Sequence, residues 1–132
     1  MTDQLIVADD DQIFAQLLCR ALRRRGFETF VANNLHQAKD IATNFHITHA
    51  VIDLRLRAEN GLDFVHFLHS HQPTVRSIVL TGYGNLTTAV AAIKAGAAEF
   101  LSKPADAEEI FAYLKPEIYG LTVHSIRRPV PF

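Results

Sequence analysis

The chain reads as an α/β fold, a parallel sheet of five strands with helices on both faces. Three observations predict it. Short apolar runs alternate with helix-period segments through five βα units in about 115 residues. The strand-like runs are apolar along most of their length, so both faces of the sheet are buried. Gly, Pro and Asx residues punctuate the joints between units.

The first run, Leu5-Ile6-Val7-Ala8, leads into a helix in which Ile13, Phe14, Leu17, Leu18, Ala21 and Leu22 form the apolar stripe. Asp11 is read as its cap. Arg23, Arg24 and Arg25 are expected in its last turn, with Gly26 closing it. Glu28-Thr29-Phe30-Val31-Ala32 is the second strand. Asn34 with Gln37 resembles a capping box before a helix carrying Leu35, Ala38, Ile41, Ala42 and Phe45. The third strand, Ala50-Val51-Ile52, reaches Asp53, and a polar loop runs from Arg55 to Asn60. Gly61 to about His71 is a third helix with Leu62, Val65 and Leu68 inward, broken by Pro73. Ile78-Val79-Leu80 reaches Thr81, followed by a flexible loop, Gly82-Tyr83-Gly84. Asn85 is placed to cap a fourth helix with Leu86, Ala89, Val90 and Ile93, ended by Gly96. After a short fifth strand, Phe100-Leu101-Ser102, Asp106 and Glu109 cap a fifth helix with Ile110, Phe111 and Leu114.

The composition narrows the classes. The chain has 132 residues, 48% of them apolar, enough for one core. A formal net charge of −1 gives no bias toward nucleic acid or membrane, and no apolar run could span a bilayer. Cys19 is the lone cysteine. It is read as a small buried helix residue, and a reducing cytoplasm is the default compartment. His66, His69 and His71 share a helix without a carboxylate or cysteine framework and are read as a solvated face.

The strand ends carry the chemistry. Right-handed crossovers put the ligand crevice at the carboxyl ends of the strands. There the runs end in Asp9-Asp10, Asp53, Thr81 and Lys103. Two carboxylates about 4 Å apart repel by roughly 4 kcal/mol at an effective dielectric near 20, so three of them require protons or a cation. A hard divalent ion such as Mg²⁺, which keeps waters and phosphate oxygens in its shell, suits them. The backbone carbonyl of Arg55 could add an oxygen. A carboxylate is also a competent phosphoryl acceptor, with Lys103 and Thr81 as partners for phosphoryl oxygens. Taken singly, each residue has an ordinary reading as a turn, strand or solvated residue.

These motifs resemble the receiver domain of two-component response regulators, over about residues 4–114. They are Ile6-Val7-Ala8-Asp9-Asp10-Asp11, Val51-Ile52-Asp53-Leu54-Arg55-Leu56, Asn60-Gly61-Leu62-Asp63, Leu80-Thr81-Gly82-Tyr83-Gly84 and Ser102-Lys103-Pro104. Within that family, Thr88-Ala89-Val90 and Lys103-Pro104-Ala105-Asp106-Ala107 resemble the RegA/PrrA/ActR regulators. The resemblance implies a flavodoxin-like (βα)5 doubly wound sheet, strand order 2-1-3-4-5. It implies Asp53 as phosphoacceptor, Asp9, Asp10, Asp53 and the Arg55 carbonyl around Mg²⁺, and Thr81, Lys103 and Phe100 as phosphate-binding and switch residues. The Lys103–Pro104 peptide is expected to be cis.

A sensor histidine kinase is the expected donor. Phosphorylation is expected to alter the surface of the fourth helix, fifth strand and fifth helix, with homodimerisation through that face as an expected response. Arg57 stands where many receivers have proline. Residues 1–115 are read as the receiver and 116–132 as a tail, with no output domain and no DNA binding by the chain itself, since Arg127 and Arg128 are too few. A chain of this kind would be the N-terminal part of, or derived from, a RegA/PrrA-type regulator. Alternatively, it would be a stand-alone receiver working by protein contact or as a phosphate sink. An aspartate-dependent phosphatase and a non-phosphorylated pseudo-receiver are the competing classes. The first usually has an acid where Arg55 stands, and the second needs no complete acid, hydroxyl and lysine set.

Overall fold

A computed structural model describes residues 2–56, 59–82 and 86–120. Five parallel strands form the central sheet: β1 (Gln4–Ala8), β2 (Glu28–Ala32), β3 (His49–Asp53), β4 (Arg76–Thr81) and β5 (Glu99–Ser102). Their spatial order is β2-β1-β3-β4-β5, the order 2-1-3-4-5. Helices α1 (Gln12–Arg23), α2 (Leu35–Asn44), α3 (Gly61–His71), α4 (Leu86–Lys94) and α5 (Ala107–Leu114) follow the strands in turn. A 3₁₀ turn, Pro116–Tyr119, closes the described chain.

Alternation along each strand splits the core in two. Leu5, Val7, Val51, Ile78 and Leu80 face α1 and α5, where they meet Leu18, Leu22, Ile110 and Leu114. Ile6, Ala8, Ala50, Ile52 and Val79 face the other way, onto Ala38, Phe64, Leu68 and Ala92 of α2, α3 and α4. Each large side chain buried this way contributes about 1.5–3 kcal/mol relative to exposure.

Caps locate the helices. Asp11 accepts from Phe14 N at 3.0 Å, Asn34 from Gln37 N at 2.8 Å, Asn60 from Leu62 N at 2.9 Å and Asp106 from Glu109 N at 2.8 Å. The expected cap of α4, Asn85, lies outside the described residues, as do Arg57, Tyr83, Gly84 and the tail beyond Gly120.

Several expectations are corrected. Ile13 and Leu17 are 74% and 57% exposed, because α1 buries Ala15, Leu18, Cys19 and Leu22 instead. α1 ends at Arg23, so Arg24 and Arg25 lie past its last turn. The supposed polar loop after β3 holds a minimal hairpin, Arg55–Leu56 against Glu59–Asn60, whose Leu56 is fully buried. His69 is not on a solvated face. Its Nε2 lies 2.7 Å from Ser77 Oγ, and a Cβ on Gly96, whose φ is +121°, would come within 2.8 Å of its ring.

Candidate functional site

The sheet ladder continues one residue past three strands and so fixes the polar residues at its edge. Asp9 N donates to Ala32 O at 2.9 Å, Leu54 N to Leu80 O at 3.0 Å and Lys103 N to Thr81 O at 2.9 Å. Asp9 therefore lies beside Asp53, which ends β3 in register with Leu80. Carboxylate oxygens of Asp9, Asp10 and Asp53 fall within 4.8 Å of one another. Asp9 and Asp53 are buried, whereas Asp10 is exposed.

Both oxygens of Asp53 are held. Oδ1 accepts from Arg55 N at 2.9 Å and Oδ2 from Lys103 Nζ at 2.8 Å. Asp9 Oδ1 accepts from Asp11 N at 2.9 Å. Its Oδ2 is buried and lies 3.1 Å from Lys103 Nζ, but no hydrogen bond of acceptable geometry reaches it. The two atoms attract by charge alone. Asn33 Nδ2 donates to the Asp9 carbonyl at 3.0 Å, a support with no signal in the sequence beyond its place just after β2.

Among the described residues, Lys103 is the ammonium in contact with this cluster, touching Asp9 and Asp53. Burial, and then the Asp53 charge, pushes the Asp9 carboxyl above the usual carboxylate range, although the Asp11 N–H and Lys103 oppose the shift. Burial alone would lower the Lys103 ammonium. The hydrogen bond to Asp53 and the charges of Asp53 and Asp9 outweigh it, so Lys103 sits above its ordinary value.

The donor set suits a small hard cation: three carboxylates in reach of one point, one of them with a buried oxygen lacking a hydrogen bond. Arg55, whose carbonyl is the expected further ligand, sits in the hairpin next to Asp53.

Thr81 is buried, and its hydroxyl donates to Gly82 O at 3.1 Å. Phe100 is half-buried against the α2–α3–α4 side of the core. Val79 pairs with Phe100 and Thr81 with Ser102, so Thr81 and Phe100 lie on one face of the sheet, diagonal neighbours across β4 and β5. The Lys103–Pro104 peptide is cis. Gly61 begins α3 directly against the site. A Cβ there would stand 2.2 Å from Asp53 O and 2.8 Å from Leu54 Cα, so no side chain is tolerated where α3 meets the end of β3.

A family model for the response regulator receiver domain matches residues 5–115. The chain belongs to that family. Among curated relatives, this receiver is 49% identical over 106 residues to the photosynthetic apparatus regulatory protein RegA of Rhodobacter capsulatus, covering 80% of this chain and 58% of that protein. It is 44% identical over 110 residues to the acid tolerance regulatory protein ActR of Rhizobium meliloti, covering 83% of this chain and 57% of that protein. The chain thus spans under two thirds of the length of these regulators.

Among solved structures, a Burkholderia pseudomallei response regulator with a phosphorylated aspartic acid, a calcium ion and citrate is 35% identical. It superposes with a TM-score of 0.82 over 98% of this chain and 77% of that one. A CheY-like receiver domain from Methanospirillum hungatei gives a TM-score of 0.84 at 22% identity, covering 91% and 96% of the two chains, a likeness of fold. No helix among the described residues is long and apolar enough to cross a membrane.

Proposed function

We propose that this receiver accepts a phosphoryl group on Asp53 from the phosphohistidine of a sensor kinase, with Mg²⁺, and so changes the surface formed by α4, β5 and α5. One observation carries the reading: three strand ends, those of β1, β3 and β5, deliver Asp9, Asp10, Asp53 and Lys103 to a single cluster. The neighbour from Burkholderia pseudomallei, with its phosphorylated aspartic acid and calcium ion, supports it.

In this reading the Arg55 N–H and the Lys103 ammonium clamp the Asp53 carboxylate, which fixes the plane from which an oxygen attacks phosphorus. A new oxygen–phosphorus bond forms, and the donor's nitrogen–phosphorus bond breaks with its electron pair returning to nitrogen. Asp9, Asp10, Asp53 and the Arg55 carbonyl would hold the cation, which supplies neutralising charge to the transferring group. Lys103 already touches both buried acids and neutralises part of the charge the phosphoryl brings, about −1.5 to −2.

Thr81 at rest donates only to the neighbouring Gly82 carbonyl, a weak local bond that a phosphoryl oxygen outcompetes. Its movement would open space for Phe100, on the same face, to turn inward. On α4, Leu86 and Val90 are 64% and 42% exposed, an apolar surface that suits a partner, including a second receiver. We place the working unit at residues 1–115 in the cytoplasm, as the receiver part of a RegA/ActR-type regulator, with no catalysis beyond its own phosphorylation and dephosphorylation.

The test is intact-mass measurement after acetyl phosphate and Mg²⁺. The wild-type chain should gain one phosphoryl group, and chelation of the metal or Asp53→Asn should abolish the gain. Undiminished labelling of Asp53→Asn would move the acceptor elsewhere.

A further inference from the structure

The face of the Phe14 ring lies over the Lys103 ammonium, with Nζ 5.2 Å from the ring centroid, inside the range of a cation–π contact. This contact closes a ring of interactions around the acid cluster. Asp9 Oδ1 accepts from Asp11 N, and Asp11 Oδ1 accepts from Phe14 N, which fixes the first turn of α1. The Phe14 ring then meets Lys103 Nζ, and Nζ returns to Asp9 Oδ2 at 3.1 Å and to Asp53 Oδ2 at 2.8 Å. The Lys103 side chain keeps 30% of its surface exposed, so its two carboxylate partners alone do not enclose it. A flexible four-carbon stem has several ways to point its ammonium outward. An aromatic face on one flank and two carboxylates on the other leave it one favoured position.

We propose that Phe14 is a positioning residue, holding the Lys103 ammonium against Asp9 and Asp53 so that it is in place when a phosphoryl group arrives. The role in transfer rests on the receiver reading above. The plain alternative is that Phe14, half-buried beside the α1–α5 core, only fills space. Leucine would fill much the same space without a π face, and tyrosine would keep the face.

Two readouts on the full chain test the proposal. In NMR spectra without metal or phosphodonor, the Lys103 ε-methylene resonances should be displaced upfield by the ring current. Phe14→Leu should abolish that displacement and Phe14→Tyr should retain it, a change that space-filling alone would not produce. With acetyl phosphate and Mg²⁺, Phe14→Leu should slow labelling about two- to tenfold, while Phe14→Tyr stays near the wild-type rate. A Lys103 spectrum unchanged in Phe14→Leu, or wild-type labelling by that variant, would overturn the role of Phe14 while leaving the receiver reading intact. Absence of label on the wild-type chain would overturn both the receiver reading and the role in transfer. If Phe14→Leu melts well below the wild type, the comparison with Phe14→Tyr decides, since equal slowing by a stable tyrosine variant would also overturn it.

Discussion

The two ends of the sheet handle charge in opposite ways. At the amino end, charges of both signs alternate and close on each other. Lys115 Nζ donates to Asp3 Oδ2, lies 3.9 Å from Glu117 Oε2 and stands over the Phe27 ring. Arg76 Nε donates to the Tyr113 carbonyl at 2.8 Å. Thr48 Oγ1 accepts from Gln4 N at 2.9 Å and lies 2.8 Å from Nδ1 of His49, whose ring meets Phe27 edge-on at 5.0 Å. These contacts tie the end of α5 to β1. At the carboxyl end, among the described residues, Asp9 and Asp53 share the Lys103 ammonium with Asp10 close by. The first arrangement holds the fold together. The second brings three carboxylates within reach of one point, which is the pattern expected where a cation from outside completes the site.

The largest expected effect comes from filling the space where α3 begins. Gly61→Ala should cost at least about 3 kcal/mol in denaturant unfolding, because its Cβ would collide with backbone at Asp53 and Leu54. Gly82→Ala, where an added Cβ meets nothing within 4 Å, should leave stability near wild type. Equal stabilities for the two variants would show that the close approach at Asp53 is not real.

Next comes the metal. Mg²⁺ at one hundred times its dissociation constant should raise unfolding stability by about 2.7 kcal/mol. Asp10→Asn should weaken that response, and Asp3→Asn, at the opposite end, should not. An equal response in all three chains would mean that the ion binds outside the acid cluster.

Breaking the amino-end clamp is a smaller perturbation. Lys115→Met should lower stability by roughly 0.2–1 kcal/mol, since both partners are partly solvated, and should leave phosphoryl labelling unchanged. A loss of labelling would show that the two ends are coupled.

Smallest is the pH dependence of the amino end. Burial holds His49 and His69 below the ordinary histidine value of 6.5. The unfolded chain therefore takes up these protons first as pH falls. The stability they contribute is present above about pH 6.5 and is lost as pH falls through their lowered values. His49→Gln should flatten this decline in urea unfolding between pH 7.5 and 5.5, by less than about 1 kcal/mol. An unaltered slope would assign the decline to other groups.

Much of this was legible in the residues. Apolar runs ending in Asp9, Asp53, Thr81 and Lys103 located both the strands and their functional edge, because a parallel sheet buries both faces and brings its carboxyl ends together. The buried face of α1 was harder to read. Ile13, Phe14, Leu17, Leu18 and Leu22 make an apolar arc broader than the sheet can cover, and only the docking angle selects Leu18 and Leu22 over Ile13 and Leu17. His69 gave no signal, since its burial depends on Ser77 and Gly96 from two other units. The hairpin after β3 was hidden in a polar stretch whose one informative residue was Leu56. Phe14 read as core, and its contact with Lys103 spans about two thirds of the chain.

In the proposed reaction Asp53, rather than Asp9 or Asp10, receives the phosphoryl group within the shared acid cluster. Borohydride reduction of the chain labelled with acetyl phosphate and Mg²⁺ converts an acyl phosphate to an alcohol, and peptide mass spectrometry then locates it. The modification should fall at Asp53 alone; reduction at Asp9 or Asp10, with Asp53 intact, would contradict the account.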